Sequence, residues 1–491
     1  MPRRVVLTAV VLALVPLLPP DAAALVQVSS DPYTNPECQH ATQVEPDTFS
    51  FGSTVVAAFQ SGRCFGGGAS NIGFAVTLDG GVNWARGFLP SLTVHSDPPG
   101  PYDRASDPTV AYDAAHGVWM ISALALNMTD AGKVGAAVVV SRSIDGGLTW
   151  SAPVEVSAAP ADSYYDKPWT ACDNWPPSPF FGNCYTTWDD AGLGDRLLMS
   201  TSVDGGLSWS LKTAPSRSPK GLGGIPVVQP DGTVVVPASN ASGTAIIAFR
   251  STNGGSSWSR ARPVASVVEH SVAGDLRVLG ALHSSDVDAF GNIYVVWSDC
   301  RFRAGCTSND LVMSTSTDGV HWTPAVRIPV DATTSSVDHF LPGLAVDHAT
   351  SGPTARLSLS YYFYPDANCT ESTCQLFVGF ISSADGGATW SAPRTLAGPM
   401  SLTSLADTSQ GRMVGDYIST SLVDGGHALP VFALADPSDP LAGSVFEEAM
   451  FAEIVTLSAM ALGEPQPVEA GGPVSAGRWG HGALWRPRMM R

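Results

Sequence analysis

The stretch SRSIDGGLTW (141–150) recurs in close copies along most of the chain. Three copies keep the Asp-Gly-Gly and a tryptophan three residues after the second glycine: FAVTLDGGVNW (74–84), MSTSVDGGLSW (199–209) and ISSADGGATW (381–390). Two copies are weaker, namely FRSTNGGSSW (249–258), with Asn253 in place of the aspartate, and MSTSTDGVHW (313–322), with Val320 in place of the second glycine. The pattern is therefore the marker of an internal repeat.

Each copy predicts a tight turn between two strands. Glycine supplies the positive φ that such a turn needs, and the aspartate carboxylate can accept hydrogen bonds from backbone N–H groups of the turn. The tryptophan then covers the turn as an apolar lid. Six such acids could suggest catalysis, but a turn carboxylate that returns once per module favours a structural clip.

The period of the repeat predicts the architecture. The Asp or Asn positions 79, 145, 204, 253, 318 and 385 are 66, 59, 49, 65 and 67 residues apart. Between them lie an apolar strand, a turn and a strand rich in aromatic residues, as in SSDVDAFGNIYVVWSD (284–299). Four short strands per period, with no helical pattern between them, indicate the blade of a β-propeller.

Boxes of this kind resemble the Asp-box (BNR) repeats of the sialidase superfamily and related secreted propellers, and the resemblance covers about residues 40 to 457. It implies an all-β propeller of four-stranded antiparallel blades. Six units end in a box, and a seventh (415–435 followed by 447–457) shows three strands without one. The N-terminal run 25–29 could add the missing strand and remove the open sheet edges. We therefore favour seven blades, with the six usual in sialidases as the alternative.

The two ends of the chain differ from the repeats. Residues 1–24 combine Arg3 and Arg4, an apolar core at 5–18 and three alanines at 22–24, which predicts a Sec-type signal peptide and a secreted protein. We expect one propeller domain at 25–460 and a C-terminal tail at 461–491. No later stretch is long enough to span a bilayer, and we expect a monomer. Four lysines against 22 arginines indicate a GC-rich bacterial source.

Charge and cysteines narrow the partners. A formal net charge of −18 argues against nucleic acid, and an anionic sugar could bind only in a locally arginine-rich pocket. Eight cysteines in an exported chain predict disulfides, and their spacing suggests four near-neighbour couples. These couples are Cys38/Cys64, Cys172/Cys184, Cys300/Cys306 and Cys369/Cys374.

We expect no metal and no cofactor. None of the cysteine couples has a partnering CxxC or HxxxH motif. The run from Asp286 to Gly291 resembles an EF-hand loop, but Phe290 and Trp297 stand at ligand positions, so a plain strand turn is the better interpretation.

The propeller topology predicts where a site would lie. The innermost strand of a blade comes first and the box turn joins strands three and four, so the loops that enter strand one and join strands two and three lie on the opposite face. These loops bring arginine, acid and tyrosine to one rim. The residues concerned are Arg104, Asp107, Tyr164, Tyr165, Asp166, Lys167, Arg301, Arg303, His339, Arg412, Asp416 and Tyr417.

The resemblance implies specific roles for some of them. Sialidases hold the substrate carboxylate with three arginines, protonate the leaving oxygen with an aspartate and attack with a tyrosine that a glutamate activates. Bidentate arginine matches a carboxylate, and a neutral tyrosine avoids the repulsion that an anionic nucleophile would meet. On this pattern the clamp is Arg104, Arg301 and Arg412, the nucleophile Tyr417, the acid Asp107 or Asp166 and the activator Glu45.

Two functions remain open at this point. The first is a secreted glycoside hydrolase of exo-alpha-sialidase type that acts on terminal sugars of glycans. The second is a non-catalytic Asp-box propeller that binds carbohydrate or protein. The Tyr/Phe-Arg-Ile-Pro sequence that the family places before its first box is missing, and Arg327-Ile-Pro329 follows the fifth box instead. An arginine triad converging beside a tyrosine and carboxylate pair would favour the first function.

Overall fold

The computed structural model describes residues 25–457 except 131, 162, 424–425 and 436–446. The predicted signal peptide (1–24) and C-terminal tail (461–491) lie outside the described residues. Within the described residues, regular structure is almost entirely β-strand. The helices there are three short 3-10 turns at Ala191–Leu193, Gly352–Thr354 and Leu402–Ser404. None of these is long and apolar enough to cross a membrane. The all-β prediction is confirmed.

The strands form successive antiparallel sheet units in chain order. The N-terminal strand and the first two units are β1 (Val26–Gln27); β2 (Gln43–Phe51), β3 (Thr54–Arg63), β4 (Ala69–Thr77) and β5 (Ala85–Phe88); and β6 (Arg104–Asp113), β7 (Val118–Thr129), β8 (Gly132–Ser143) and β9 (Val154–Ala158). The third and fourth units are β10 (Tyr165–Cys172), β11 (Cys184–Asp190) and β12 (Arg196–Ser202); and β13 (Gly221–Leu222), β14 (Val227–Val228), β15 (Val234–Asn240), β16 (Ala245–Ser251) and β17 (Arg262–Ser266).

The remaining units follow the same order. They are β18 (His283–Val287), β19 (Ile293–Asp299), β20 (Asp310–Ser316) and β21 (Val326–Arg327); β22 (Asp338–Val346), β23 (Leu357–Tyr364), β24 (Gln375–Ser383) and β25 (Arg394–Ser401); the hairpin β26 (Ala406–Thr408) and β27 (Gly411–Met413); and β28 (Ser419–Val423), β29 (His427–Ala435), β30 (Glu448–Ala452) and β31 (Val455–Thr456). The first two units join into one sheet only through the pair Ala69 and Ala105. Divided there, and with the hairpin β26–β27 left aside, the described strands make seven units. The number of blades stays a prediction, with seven favoured and six as the alternative.

The two ends of the propeller pair with each other. Strand β1 lies antiparallel to β30, with Val26 opposite Ala452 and Gln27 opposite Phe451. The next residue, Val28, donates its N–H to the carbonyl of Met450 at 2.8 Å and is fully buried. The predicted fourth strand of the last unit is thus supplied by the N-terminal run, which covers the edge that β30 would otherwise expose.

The boxes are structural clips, as predicted. In the second unit, Asp145 accepts hydrogen bonds through Oδ1 from the N–H of Thr149 (2.9 Å) and from Ser143 Oγ (2.8 Å). Its Oδ2 accepts from Thr149 Oγ1 (2.6 Å), and Trp150 Nε1 donates to the carbonyl of Gly147 (3.0 Å). Corresponding carboxylate or amide clips recur at Asp79, Asp204, Asn253, Asp318 and Asp385.

The core lies between neighbouring sheets. Trp150 of the second box packs against Phe74 of the first unit, with ring centroids 5.7 Å apart, in a cluster that also contains Ile121. Trp188 and Val138 join the second unit to the third in the same way. In each unit the box turn follows the third strand, so it lies at the end opposite to the entry of the first strand. The entries of the first strands are therefore free of the clips.

The four predicted disulfides are all present, joining Cys38 to Cys64, Cys172 to Cys184, Cys300 to Cys306 and Cys369 to Cys374. Such bonds are typical of exported proteins. The turn after β18 is also as predicted, because Asp288 uses Oδ1 to accept the N–H groups of Phe290 and Asn292, both at 2.9 Å.

A comparison of boxes yields a stability prediction. Asn253 replaces the aspartate and still accepts the N–H of Ser257 (3.0 Å) while its amide donates to Ser257 Oγ (2.8 Å). We expect Asp385→Asn to keep the equivalent contacts with Thr389, whereas Asp385→Ala loses them and lowers the unfolding free energy by about 1 kcal/mol. Urea unfolding of both variants checks this, and equal losses would contradict the clip.

Candidate active site

A repeated irregularity shapes the first strands. In four units a non-glycine residue with positive φ stands directly before a proline: Glu45 (64°), Asp107 (48°), Lys167 (44°) and Leu341 (51°). The strand register shifts at each of these positions. Proline has no N–H for the ladder, and a bulge re-aims the side chain beside it. Three of the four bulges carry a charged group, and these three groups meet.

The charged groups are organised around Asp416, which is 2% exposed. Arg277 donates from Nε to Asp416 Oδ1 at 2.7 Å, and Lys167 donates to Asp416 Oδ2. Lys167 Nζ also lies 3.5 Å from Asp107 Oδ1, and Glu45 Oε1 accepts the N–H of Asp416 at 3.2 Å. One carboxylate oxygen from each of Glu45, Asp107 and Asp416 lies within 4.8 Å of the other two.

Burial and these contacts push the pKa values apart. Burial opposes the charge of Asp416, but Arg277 and Lys167 outweigh it and hold the pKa of this carboxyl below its usual range. Burial raises the pKa of Glu45 to about 8, and the neighbouring Asp107 and Asp416 add to the shift. Burial also opposes the charge of Lys167, yet Asp416 and Asp107 keep its pKa well above the ordinary value. The cluster thus pairs an ionised Asp416 with a Glu45 that retains its proton near neutral pH.

The same contacts test the cluster for a metal. Glu45, Asp107 and Asp416 are close enough to share an ion, but Lys167 and Arg277 already contact the carboxylate of Asp416. A second group, Asp310, Asp331 and His339, is also close enough. There Arg303 bridges Asp310 (2.6 Å) and Asp331 (2.8 Å), and Arg327 lies 2.9 Å from Asp310. Cationic side chains neutralise both groups, so neither donor set fits a metal.

A narrow cleft opens beside Asp416. Its walls are Asp107, Lys167, Pro168, Trp169, Gly223, Ile225, Leu282, His283, Asp416 and Tyr417. It encloses about 20 Å³, room for roughly one water molecule. The Tyr417 ring meets that of Trp169 edge to face at 5.1 Å, and its hydroxyl donates to the carbonyl of Pro108 at 2.9 Å. Burial, followed by Glu45 and Asp107, raises the pKa of Tyr417 well above its ordinary value, so the phenol is neutral.

His283 is a further polar group on the cleft wall. It is 5% exposed, and neither ring nitrogen makes a hydrogen bond of normal geometry within the described residues. Burial lowers its pKa to about 4, so the imidazole is neutral at physiological pH. No sequence motif marks this histidine.

Four predicted residues come together here. Asp107 and Tyr417 line the cleft, and Glu45 lies beside it, close to Asp107 and Asp416. Asp166 adjoins them, because its Oδ1 accepts the N–H of Lys167 at 2.9 Å. Burial raises the pKa of Asp166, and the charge of Asp107 adds to the shift. Their assignment as nucleophile, acid and activator stays a prediction.

The structure does not bring the three predicted clamp arginines together. Arg301 is held by Asp299, two residues before it, through contacts of 2.9 Å (Nε to Oδ1) and 2.6 Å (Nη2 to Oδ2). Arg412 lies 3.5 Å from Glu371. Arg104 donates to the carbonyl of Gly67 at 3.0 Å. Each arginine contacts a different segment, and the guanidinium that pairs with Asp416 on the cleft wall is that of Arg277.

Backbone hydrogen bonds hold Arg277 beside the cluster, and no repeated sequence pattern predicts them. Its N–H donates to the carbonyl of Arg412 (2.6 Å), and Arg412 in turn donates to the carbonyl of Asp275 (2.7 Å). The segment of Arg412 therefore positions Arg277 rather than supplying its own side chain. Arg63 is a second arginine that sequence reasoning did not select, and it is 3% exposed.

Comparisons with known proteins were made for the whole chain. No protein-family model matches it, and no curated protein matches it. A solved ulvan lyase of a polysaccharide lyase family is 10% identical with a TM-score of 0.51, covering 88% of this chain and 96% of its own. This likeness shows a fold shared with a carbohydrate-active enzyme.

Sialidases also occur among the similar structures. A leech intramolecular trans-sialidase is 13% identical, with a TM-score of 0.45 and coverage of 68% of this chain and 67% of its own. A Hadza microbial sialidase is 14% identical, with a TM-score of 0.46 and coverage of 86% and 68%. The likeness at these identities concerns the fold.

The raised pKa of Glu45 predicts a pH dependence of stability. Because the folded state holds this proton up to about pH 8, whereas an unfolded glutamate releases it near pH 4.3, Glu45 stabilises the fold at low pH and loses this contribution as pH rises through about 8. We expect Glu45→Gln to remove this part of the pH dependence. Because a pKa difference of one unit corresponds to about 1.4 kcal/mol, the stability difference between the variant and the wild type should change by a few kcal/mol between pH 5 and 8.

Denaturant unfolding at several pH values measures this difference. Glu155→Gln, at an exposed position of β9, is the matched control and should leave the pH dependence unchanged. A wild type and a Glu45→Gln variant with parallel pH curves would show that Glu45 titrates normally.

Proposed function

We propose that the chain is a secreted glycoside hydrolase of exo-alpha-sialidase type that acts on a terminal acidic sugar of a glycan. One observation carries the proposal: a single cleft is lined by the neutral Tyr417, the carboxyl groups of Asp107 and Asp416, the cation Lys167 and the aromatic Trp169. The Asp-box resemblance supports the same reaction class, and the fold shared with a polysaccharide lyase supports action on a carbohydrate.

Glycoside hydrolysis needs a proton donor for the leaving oxygen and a nucleophile or base on the other side of the sugar. Asp107 is our acid, because it lines the cleft together with Tyr417. Asp166 is the alternative acid. Tyr417 is our nucleophile, because a neutral phenol can approach an acidic sugar without like-charge repulsion.

Glu45 is our activator, because it holds the segment that carries Tyr417. Its Oε1 accepts the N–H of Asp416, the residue directly before Tyr417. Its proton is retained up to about pH 8, so its carboxylate, the form that could accept the phenol proton, increases with pH over the neutral range. Glu45 therefore both fixes the segment of the nucleophile and can serve as its activator.

A non-catalytic glycan-binding propeller is the second candidate, favoured by the size of the cleft. Ligand pockets usually enclose about 300–1,000 Å³, whereas this cleft encloses about 20 Å³. In addition, both Lys167 and Arg277 are committed to Asp416. A substrate has to displace side chains at the mouth before a sugar ring can reach Tyr417.

Release of a fluorophore from an aryl sialoside tests the proposal. We expect turnover by the wild type and a fall of several orders of magnitude for Tyr417→Phe, which removes the reacting oxygen and little packing. Tyr102→Phe, a half-buried tyrosine packed in the core between the first two units, is the matched control and should keep full activity.

Two results would contradict these assignments. Full activity of Tyr417→Phe, with an unchanged melting temperature, would exclude Tyr417 as nucleophile. A wild type that binds glycans but releases no fluorophore from sialosides or other acidic aryl glycosides would establish the binding propeller instead.

A further inference from the structure

Three cationic side chains surround the loop Gly66-Gly67-Gly68, which joins β3 to β4. Arg63 donates from Nη1 to the carbonyl of Gly68 at 2.8 Å, and Arg104 donates from Nη1 to the carbonyl of Gly67 at 3.0 Å. Lys133, from the start of β8, places its ammonium directly over Gly67. The three charged heads therefore lie around two consecutive residues.

The loop is held rigidly in this shape. Cys64 donates its N–H to the carbonyl of Gly68 (2.9 Å) and accepts from the N–H of Gly67 (3.0 Å), while its side chain forms the disulfide to Cys38. Gly67 has a φ of 113°, and an added Cβ would collide with the Lys133 ammonium. Glycine is thus required for the close approach of this ammonium to the backbone.

The protein around the cations lowers the pKa values of Lys133 and Arg63. Although the Lys133 side chain is exposed, desolvation by the surrounding protein lowers its pKa to about 8. The charges of Arg63 and Arg277 add to the shift, while Asp166 and Asp107 oppose it. Burial also lowers the pKa of Arg63 to about 10, with Arg277 again adding and Glu45, Asp416 and Asp107 opposing. The like charge of Arg63 depresses the pKa of Lys133, and an anion that binds between the two relieves this repulsion.

Donors remain for such an anion. A guanidinium carries five N–H groups. Within the described residues, the hydrogen bonds of Arg63 use two nitrogens, towards Gly68 and the sulfur of Met413, and those of Arg104 use one. Both side chains are more than nine-tenths buried, at 3% and 8% exposure, so their positions are fixed by packing.

We propose that Arg63, Arg104 and Lys133, arranged around Gly66–Gly68, form a binding site for an anionic oxygen group, carboxylate or sulfate, carried by the glycan. The inference rests on the proposed function in naming a glycan as the bearer of the group. It differs from the predicted clamp, because only Arg104 is shared and a lysine that titrates near physiological pH takes part.

Calorimetric binding to the Tyr417→Phe variant tests the site without turnover. The probes are sialylated lactose, sulfated lactose and a glucuronic-acid disaccharide, each against neutral lactose. We expect at least one anionic probe to bind about tenfold or more tightly than lactose, because only the anionic probes make charge-assisted hydrogen bonds to the three cations. Which anionic probe binds best distinguishes carboxylate from sulfate. Equal affinity for lactose and all anionic probes would overturn the proposal.

Variants of the site locate the effect. Lys133→Gln should remove most of the preference for the anionic probe and leave lactose binding unchanged. Gly67→Ala keeps every charge but displaces the ammonium, so it should weaken the same preference. Arg260→Gln, at an exposed position before β17, removes one charge elsewhere and is the matched control. A Lys133→Gln variant that binds the anionic probe as the parent does would overturn the assignment.

The pH dependence gives an independent readout. Because the Lys133 ammonium loses its proton as pH rises through about 8, anion affinity should fall over this range. Lys133→Arg keeps its charge and should remove this fall, which a merely structural role would not produce. An identical pH profile for the parent and Lys133→Arg would overturn the role of the lysine.

The outcomes separate the two proposals. Anion binding that needs Lys133, in a protein without hydrolytic activity, supports the site and refutes the hydrolase. Sialoside hydrolysis whose KM is unchanged by Lys133→Gln supports the hydrolase and refutes the site.

Discussion

The ion pairs of Asp416 tie together parts of the chain that are far apart in sequence. Lys167 comes from the first strand of the third unit, Arg277 from the segment before the fifth, and Asp416 from the segment that enters the last. Removing one partner of such a buried pair leaves an uncompensated charge, which costs about 3–5 kcal/mol. Glu45 of the first unit accepts the N–H of the same residue, so first and last units also meet here. The position of Tyr417, the next residue, depends on all these contacts.

The bulges explain how a regular β-propeller can present charged groups at its centre. An unbroken first strand would alternate its side chains between the two faces of its sheet. The proline after Glu45, Asp107 or Lys167 breaks the ladder, and the positive φ turns the charged side chain out of that alternation. Positive φ costs on the order of 1–3 kcal/mol for a non-glycine residue. Such a conformation persists where the surrounding packing fixes it.

The sequence allowed prediction of the fold far better than of the site. The contacts of each box lie within five residues, so the box residues predicted the clip and the spacing of the boxes predicted the repeat. The strand missing from the last unit predicted the closing strand. The prolines 46, 108 and 168 are 62 and 60 residues apart, a period close to that of the boxes, and this signal could have identified all three bulge side chains. The partners of the arginines were harder to predict from the sequence. Asp299 precedes Arg301 by two residues and could have been recognised as its partner, whereas the pairing of Arg277 with the segment of Arg412 spans more than a hundred residues and leaves no local pattern.

The charge distribution sets the way in which an acidic ligand could be recognised. The chain carries a formal net charge of −18, which repels anions at long range. Of its four lysines, however, Lys167 lines the cleft and Lys133 lies over Gly67. At physiological ionic strength the repulsion is screened beyond about 8 Å. Contacts inside the site are shorter and partly buried, so they are screened much less. An acidic glycan would therefore be selected by direct contact with cations that the fold holds in place, and electrostatic steering by the whole surface would contribute nothing to its capture.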